Sequence, residues 1–99
     1  MFCYLIKIGI KKYKTDELLD SLETFSDQFR NDKGCLGYNI YRDGHNPVSY
    51  TVVGEWHTFL AMQQHFQTHN FKILIGAVKV LGESSELLTA ETVSLPKMS

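Results

Sequence analysis

The chain is predicted to fold as a single α+β domain, a four-stranded antiparallel sheet with helices on one face, in the order strand, helix, strand, strand, helix, strand. Three observations carry this expectation. Phe2, Tyr4, Ile6, Ile8 and Ile10 alternate along the opening stretch with the period of a strand. Two stretches show apolar residues at three- and four-residue spacing, as amphipathic helices do. A hairpin signal, Asp43-Gly44-His45-Asn46-Pro47, lies between them.

In chain order, the first strand has a second, partly apolar face through Cys3 and Leu5. Thr15 and Asp16 are placed to cap a helix with the stripe Leu18, Leu22, Phe25 and Phe29, flanked by Leu19 and closed at Lys33-Gly34. Leu36 to Arg42 reads as a strand with Tyr38 and Ile40 on one face and Asn39 and Tyr41 on the other. Val48 to Trp56 is the return strand, with Tyr50, Val52, Gly54 and Trp56 on one side and Ser49, Thr51, Val53 and Glu55 on the other. Gly54 is expected to leave open space beside Trp56. Thr58 then offers its hydroxyl as the N-cap of a helix to about His69, whose core stripe is Phe59, Met62 and Phe66. Asn70 is placed to cap a further helical segment with Phe71, Leu74, Ile75 and Val78 inward, closed by Gly82. Ser84 and Ser85 read as a turn before a last strand from Leu87 to Ser94, which Pro96 stops.

This order is the ferredoxin-like βαββαβ arrangement. Helices on one side leave the other sheet face uncovered, and either alternating set of strand residues gives that face apolar side chains. Such a patch is expected to be buried against a second copy, a homodimer packed sheet to sheet over at least roughly 1,600 Å².

Composition narrows the function classes. Ninety-nine residues span one domain, 1–99, and 10 basic against 11 acidic residues with no basic stripe argue against nucleic acid or an anionic membrane as main partner. Lys7, Lys11, Lys12 and Lys14 read as solvated lysines around an edge strand. Cys3 and Cys35 lack metal-ligand spacing and read as buried thiols. No signal-peptide pattern or bilayer-length apolar run is present, so a cytoplasmic setting is the expectation.

The run from Glu55 to Phe71 holds the only tryptophan and three of the four histidines. His65 falls three residues after Met62, on the shoulder of the helix stripe, which aims its imidazole at the space beneath the helix beside the strand bearing Trp56. One reading makes His65 a core histidine bonded to a backbone carbonyl and Trp56 packing. The other makes them a site.

Taken together, Gly34-Cys35-Leu36-Gly37-Tyr38, Tyr41-Arg42-Asp43, Asn46-Pro47, Tyr50, Glu55-Trp56, His65 and Phe71 resemble the antibiotic biosynthesis monooxygenase family of dimeric α+β barrels. The resemblance covers nearly the whole chain, and the spacing from Trp56 to His65 to Phe71 is its most specific part. It implies a small cavity between sheet and helices in each subunit, used by many members to oxygenate quinols or polycyclic phenols without metal or flavin. Such a substrate can itself reduce oxygen once deprotonated, so the protein need only take a proton, hold the ring and exclude water. No cofactor is implied, and the chain carries neither a glycine-rich dinucleotide fingerprint nor a metal cluster of conventional spacing.

In this resemblance His65 is the candidate base and Trp56 the wall on which a flat substrate stacks. Asn39, Tyr41 and Tyr50 are candidates for hydrogen bonds to substrate oxygens, with Met62 and Phe66 left as core. His69 joins them as a candidate, although relatives often carry proline and histidine directly before the phenylalanine matching Phe71, where this chain has His69-Asn70. The heme-degrading branch uses an asparagine on the first strand, and residues 2–10 contain none, which disfavours heme cleavage. A non-oxidative isomerase and a small-molecule-binding protein on the same scaffold are the competing functions.

Overall fold

The computed structural model describes residues 1–93. Its elements are β1 (Phe2–Ile10), α1 (Thr15–Phe29), β2 (Cys35–Arg42), β3 (Ser49–Trp56), α2 (Phe59–Phe66), α3 (His69–Leu81) and β4 (Gly82–Glu91), with a 3-10 turn at Lys12–Lys14. The four strands pair antiparallel in the order β2-β3-β1-β4, the expected ferredoxin-like sheet.

Alternation resolves which face is covered. Tyr4, Ile6, Ile8 and Ile10 of β1, Tyr50, Val52 and Trp56 of β3 and Tyr38 of β2 form one buried cluster with Leu18, Leu22 and Phe29 of α1, Met62 of α2 and Phe71, Leu74 and Val78 of α3. The opposite sheet face carries the row Asn39, Val53, Leu5 and Leu88, set side by side by the strand register. Among the described residues no helix is long and apolar enough to cross a membrane.

Several boundaries differ from the sequence-based expectation. Thr15 does not cap α1; it is the first helical residue, its hydroxyl donating back to the Lys12 carbonyl, while Asp16 and Glu17 place negative charge at the helix's positive end. The helix also stops at Phe29, five residues before Gly34, and a chain of turns fills the interval. Thr58 caps α2 as expected, its Oγ1 accepting from the Ala61 N–H at 3.1 Å. The next helix begins earlier than Asn70 because Thr68 supplies the cap, its Oγ1 accepting from the Phe71 N–H at 3.2 Å. At the end of α3 no serine turn intervenes: Gly82 is already extended, and Ser84, Ser85 and Glu86 pair with Gly9, Ile8 and Lys7. An edge strand joins through its main chain, so polar residues suffice, and Glu86 faces Lys7 across the ladder. Ser94 and Pro96, expected to finish this strand, lie outside the described residues.

Gly34 is the tightest joint. Its φ of +84° lies in the left-handed region, and a Cβ there would stand 2.6 Å from the Ala61 Cβ. Its carbonyl accepts from the His57 N–H at 2.8 Å, tying the exit of α1 to the start of α2. Gly34→Ala is therefore expected to destabilise the fold by about 1–3 kcal/mol. Urea unfolding would read this as a lower midpoint at unchanged slope; an unchanged midpoint would show that the joint is not tight.

Candidate functional site

Three elements converge on one imidazole. His65 sits in the last turn of α2 and is only 2% exposed. Its backbone is pinned where α2 meets α3, the Thr68 hydroxyl donating to the His65 carbonyl at 2.7 Å while that same oxygen caps α3. The ring lies 4.3 Å from the Trp56 ring and 4.5 Å, edge-on, from Phe29, with Phe71 at 5.1 Å and Tyr4 stacked at 5.5 Å.

Both ring nitrogens are engaged. Nδ1 is 2.9 Å from Asp32 Oδ2, and Nε2 is 2.9 Å from the Tyr4 hydroxyl, which is 2.7 Å from the Tyr38 hydroxyl. A carboxylate only accepts, so Nδ1 carries the proton and donates to Asp32. In the neutral ring Nε2 then accepts from Tyr4, and the Tyr4 oxygen accepts from Tyr38. Asp32 reaches the ring because the turns after α1 hold it there: its N–H donates to the Phe29 carbonyl at 3.0 Å, and its carbonyl accepts from the Cys35 N–H at 3.0 Å.

Burial lowers the His65 pKa below the usual 6.5, and the bond to Asp32 opposes this only in part. The imidazole is therefore neutral at neutral pH. Burial pushes both phenols, Tyr4 and Tyr38, far above their usual value of 10.0, so neither ionises near neutrality. The arrangement is a buried neutral base, oriented on one side by a carboxylate and backed on the other by two protonated phenols.

Gly54 explains how the phenols meet. It lies opposite Tyr4 on one neighbouring strand and Tyr38 on the other, and a Cβ there would come within 3.0 Å of both rings. The space expected beside Trp56 is taken by these tyrosines. Core side chains also occupy the hollow expected between sheet and helices, and beside His65 a surface depression of about 180 Å³ stays open, lined by Asp32, Lys33, Trp56, Ala61, Gln64, His65 and Thr68. Trp56 Nε1 is buried beside it without a hydrogen-bond partner among the described residues.

The structure thus brings Trp56 and His65 together and leaves the other candidates apart. Asn39 and Tyr41 are exposed and point to the opposite side of the sheet, in line with Val53 and Thr51. Tyr50 is on the helix side, but it pairs with Ile8 and stands six residues up β3 from Trp56, roughly 20 Å away. His69 is exposed at the start of α3. Asp32, Tyr4 and Tyr38 are the members that the sequence reading missed. Asp32 lay hidden in what read as the end of a helix, and the tyrosines in the core alternation; a glycine between two tyrosines in register was the available signal. Among the described residues, no group of three or more histidine, cysteine, aspartate or glutamate side chains is placed to hold a metal ion.

Comparison with known proteins agrees with this architecture. The family model for antibiotic biosynthesis monooxygenase matches residues 1–75, a span that includes Tyr4, Asp32, Tyr38, Trp56 and His65. An uncharacterized protein of Synechocystis is 31% identical over 64 residues, 65% of this chain but 44% of that protein, so the match spans less than half of the relative. Among solved structures, a candidate antibiotic biosynthesis monooxygenase from Deinococcus radiodurans superposes with a TM-score of 0.90 at 19% identity, covering 100% of this chain and 99% of the other. A conserved protein from Methanosarcina mazei superposes at 0.87 with 19% identity, covering 93% and 92%. At these identities the likeness is one of fold.

The lowered His65 pKa fixes a pH dependence. The unfolded chain holds a proton on this histidine more tightly than the folded one, so stability is full above about pH 6.5 and falls as pH drops through the folded value. Relative to His65→Gln, the native protein is expected to lose stability progressively below pH 6.5 in urea titrations at a series of pH values. A difference between the two that stays flat from pH 8 to 5 would contradict the assignment.

Proposed function

The chain belongs to the antibiotic biosynthesis monooxygenase family, and from that premise we propose that it is a cofactor-independent monooxygenase acting on a quinol or polycyclic phenol with molecular oxygen. The observation that supports this most is the chain Asp32–His65–Tyr4, a buried neutral base beside an indole.

In this reading the side chains that bury Tyr4 in the resting structure give way from the depression at Asp32 and Trp56 to admit the substrate, whose hydroxyl then meets the free lone pair of the Tyr4 oxygen. Its proton passes to that oxygen as Tyr4 hands its own to His65 Nε2, and the resulting imidazolium is held by Asp32. Tyr4, protonated again, then donates to the new phenolate. The electron-rich anion reduces oxygen directly: one oxygen atom enters the ring, and the other leaves as water with the displaced ring hydrogen and the phenolic proton. Trp56 stacks against the ring, and its unpartnered Nε1 donates to an oxygen of substrate or intermediate. Burial favours the chemistry by keeping water from the reactive intermediate.

The reading includes a homodimer joined through the outer sheet face, supported by the apolar row of Leu5, Val53 and Leu88 and by Tyr41, 55% exposed on the same side.

Oxygen uptake with a panel of naphthols and quinols tests the proposal. Turnover is expected to fall on the order of 10²–10⁴-fold in His65→Ala and to a lesser degree in Asp32→Asn and Tyr4→Phe. Native turnover in His65→Ala would remove the base. Turnover that persists under nitrogen would assign the same base to a non-oxidative proton transfer instead.

A further inference from the structure

Behind the aromatic wall of the site lies a second surface that the chemistry above does not use. Phe71, Lys72, Ile75, Gly76 and Lys79 fall on one face of α3, and with Phe66 at the end of α2 they line a groove of about 370 Å³. That volume is within the range of small-molecule sites, whereas the depression at Asp32 is below it.

Three features mark this groove. Gly76 stands in mid-helix, where glycine costs about 1 kcal/mol relative to alanine. A Cβ on it would meet nothing within 4 Å, so neither a turn nor close packing calls for it, and its effect is to keep the groove open. Lys72 and Lys79 are exposed at either end, about 10 Å apart along the helix. No acidic residue lines the groove, and among the described residues neither lysine lies in an ion pair. Finally, the floor is shared with the site: Phe66 and Phe71 are 5.0 Å apart, each packs on Tyr4, at 5.2 and 5.6 Å, and Phe71 is 5.1 Å from His65. A merely solvated helix face would have lysines over core phenylalanines, but no reason for a glycine at its centre.

We propose that this groove binds an amphipathic aromatic anion, its ring system on Phe66, Phe71 and Ile75 over Gly76 and its carboxylate at the lysine of one end, Lys72 or Lys79. The groove is thus a ligand site set apart from the reacting centre read at His65 by the rings of Phe66 and Phe71, and it stands or falls separately from that reading.

Calorimetry with two probes that carry no phenolic hydroxyl, 2-naphthoate and uncharged 2-naphthamide, tests this on the whole protein. The acid is expected to bind about 5- to 10-fold tighter, an advantage that shrinks with salt and disappears in the double variant Lys72→Gln/Lys79→Gln. Gly76→Leu should fill the groove and weaken both probes by at least about 10-fold, with a thermal midpoint no lower than native because leucine is the better helix former. Equal affinity for the two probes, or acid binding that neither variant alters, overturns the proposal. Oxygen uptake separates its failure from that of the catalytic reading: uptake that depends on His65 with an indifferent groove removes only the groove. Groove binding as described without turnover of any phenol retains the groove and removes the reaction.

Discussion

The bond between Asp32 Oδ2 and His65 Nδ1, 2.9 Å long, is the constraint to which the surrounding architecture answers. It joins the exit of α1 to the end of α2, segments 33 residues apart in the chain, and it fixes which nitrogen of the ring bears the proton. Each side needs its own support. Gly34 lets the chain leave α1 in a left-handed turn tight against Ala61, and Thr68 holds the His65 carbonyl while starting α3. The break between α2 and α3 therefore positions the histidine. A continuous helix through residues 59–81 would have carried the Thr68 hydroxyl elsewhere and left the carbonyl of His65 bonded within the helix.

Much of this fold was legible in the sequence because burial imposes period two on β1 and β3 and a three-to-four spacing on α1. The pairing of Trp56 with His65 was legible too, since a strand that turns into a helix within two residues brings strand end and helix face together. What stayed hidden were features that pattern does not encode. β4 is an edge strand held by main-chain bonds, so Ser84 to Glu86 carried no strand signal. Thr68 and Asn70 are both good cap residues, and only tertiary packing chose between them. Asp32 is an ordinary surface type until the turns after Phe29 are known, and Tyr4 is indistinguishable from an apolar core residue by alternation alone. The choice of sheet face, which separates Tyr38 from Asn39 and Tyr41, required knowing where the helices lie.

The two sheet faces divide the labour accordingly. On the helix side the strands supply large aromatic side chains whose polar atoms meet one another, and Gly54 makes room for the tyrosine pair by having no side chain of its own. On the outer side the same strands supply a flatter row of Val53, Leu5 and Leu88. The period of two makes these sets independent, so the hydrogen-bonded aromatic cluster of one side and the apolar row of the other are free to differ within the same strands.

The phenol pair also shapes how a proton is handled. With the imidazole neutral, Tyr38 donates to Tyr4, Tyr4 donates to Nε2, and Nδ1–H donates to Asp32, a file of bonds all pointing toward the carboxylate. Once Nε2 is protonated it donates to the Tyr4 oxygen, and the Tyr4 hydroxyl turns to donate elsewhere, to Tyr38 or to another oxygen within reach. Heavy atoms need not move for this reversal, because the 2.9 and 2.7 Å separations serve either direction. Raised phenol pKa values keep the tyrosines from retaining the negative charge, so a proton that enters the file passes through them and does not leave either as a phenolate. Burial, which weakens histidine as a base, is opposed in part by the carboxylate on one side, while the phenols on the other do not compete for the charge.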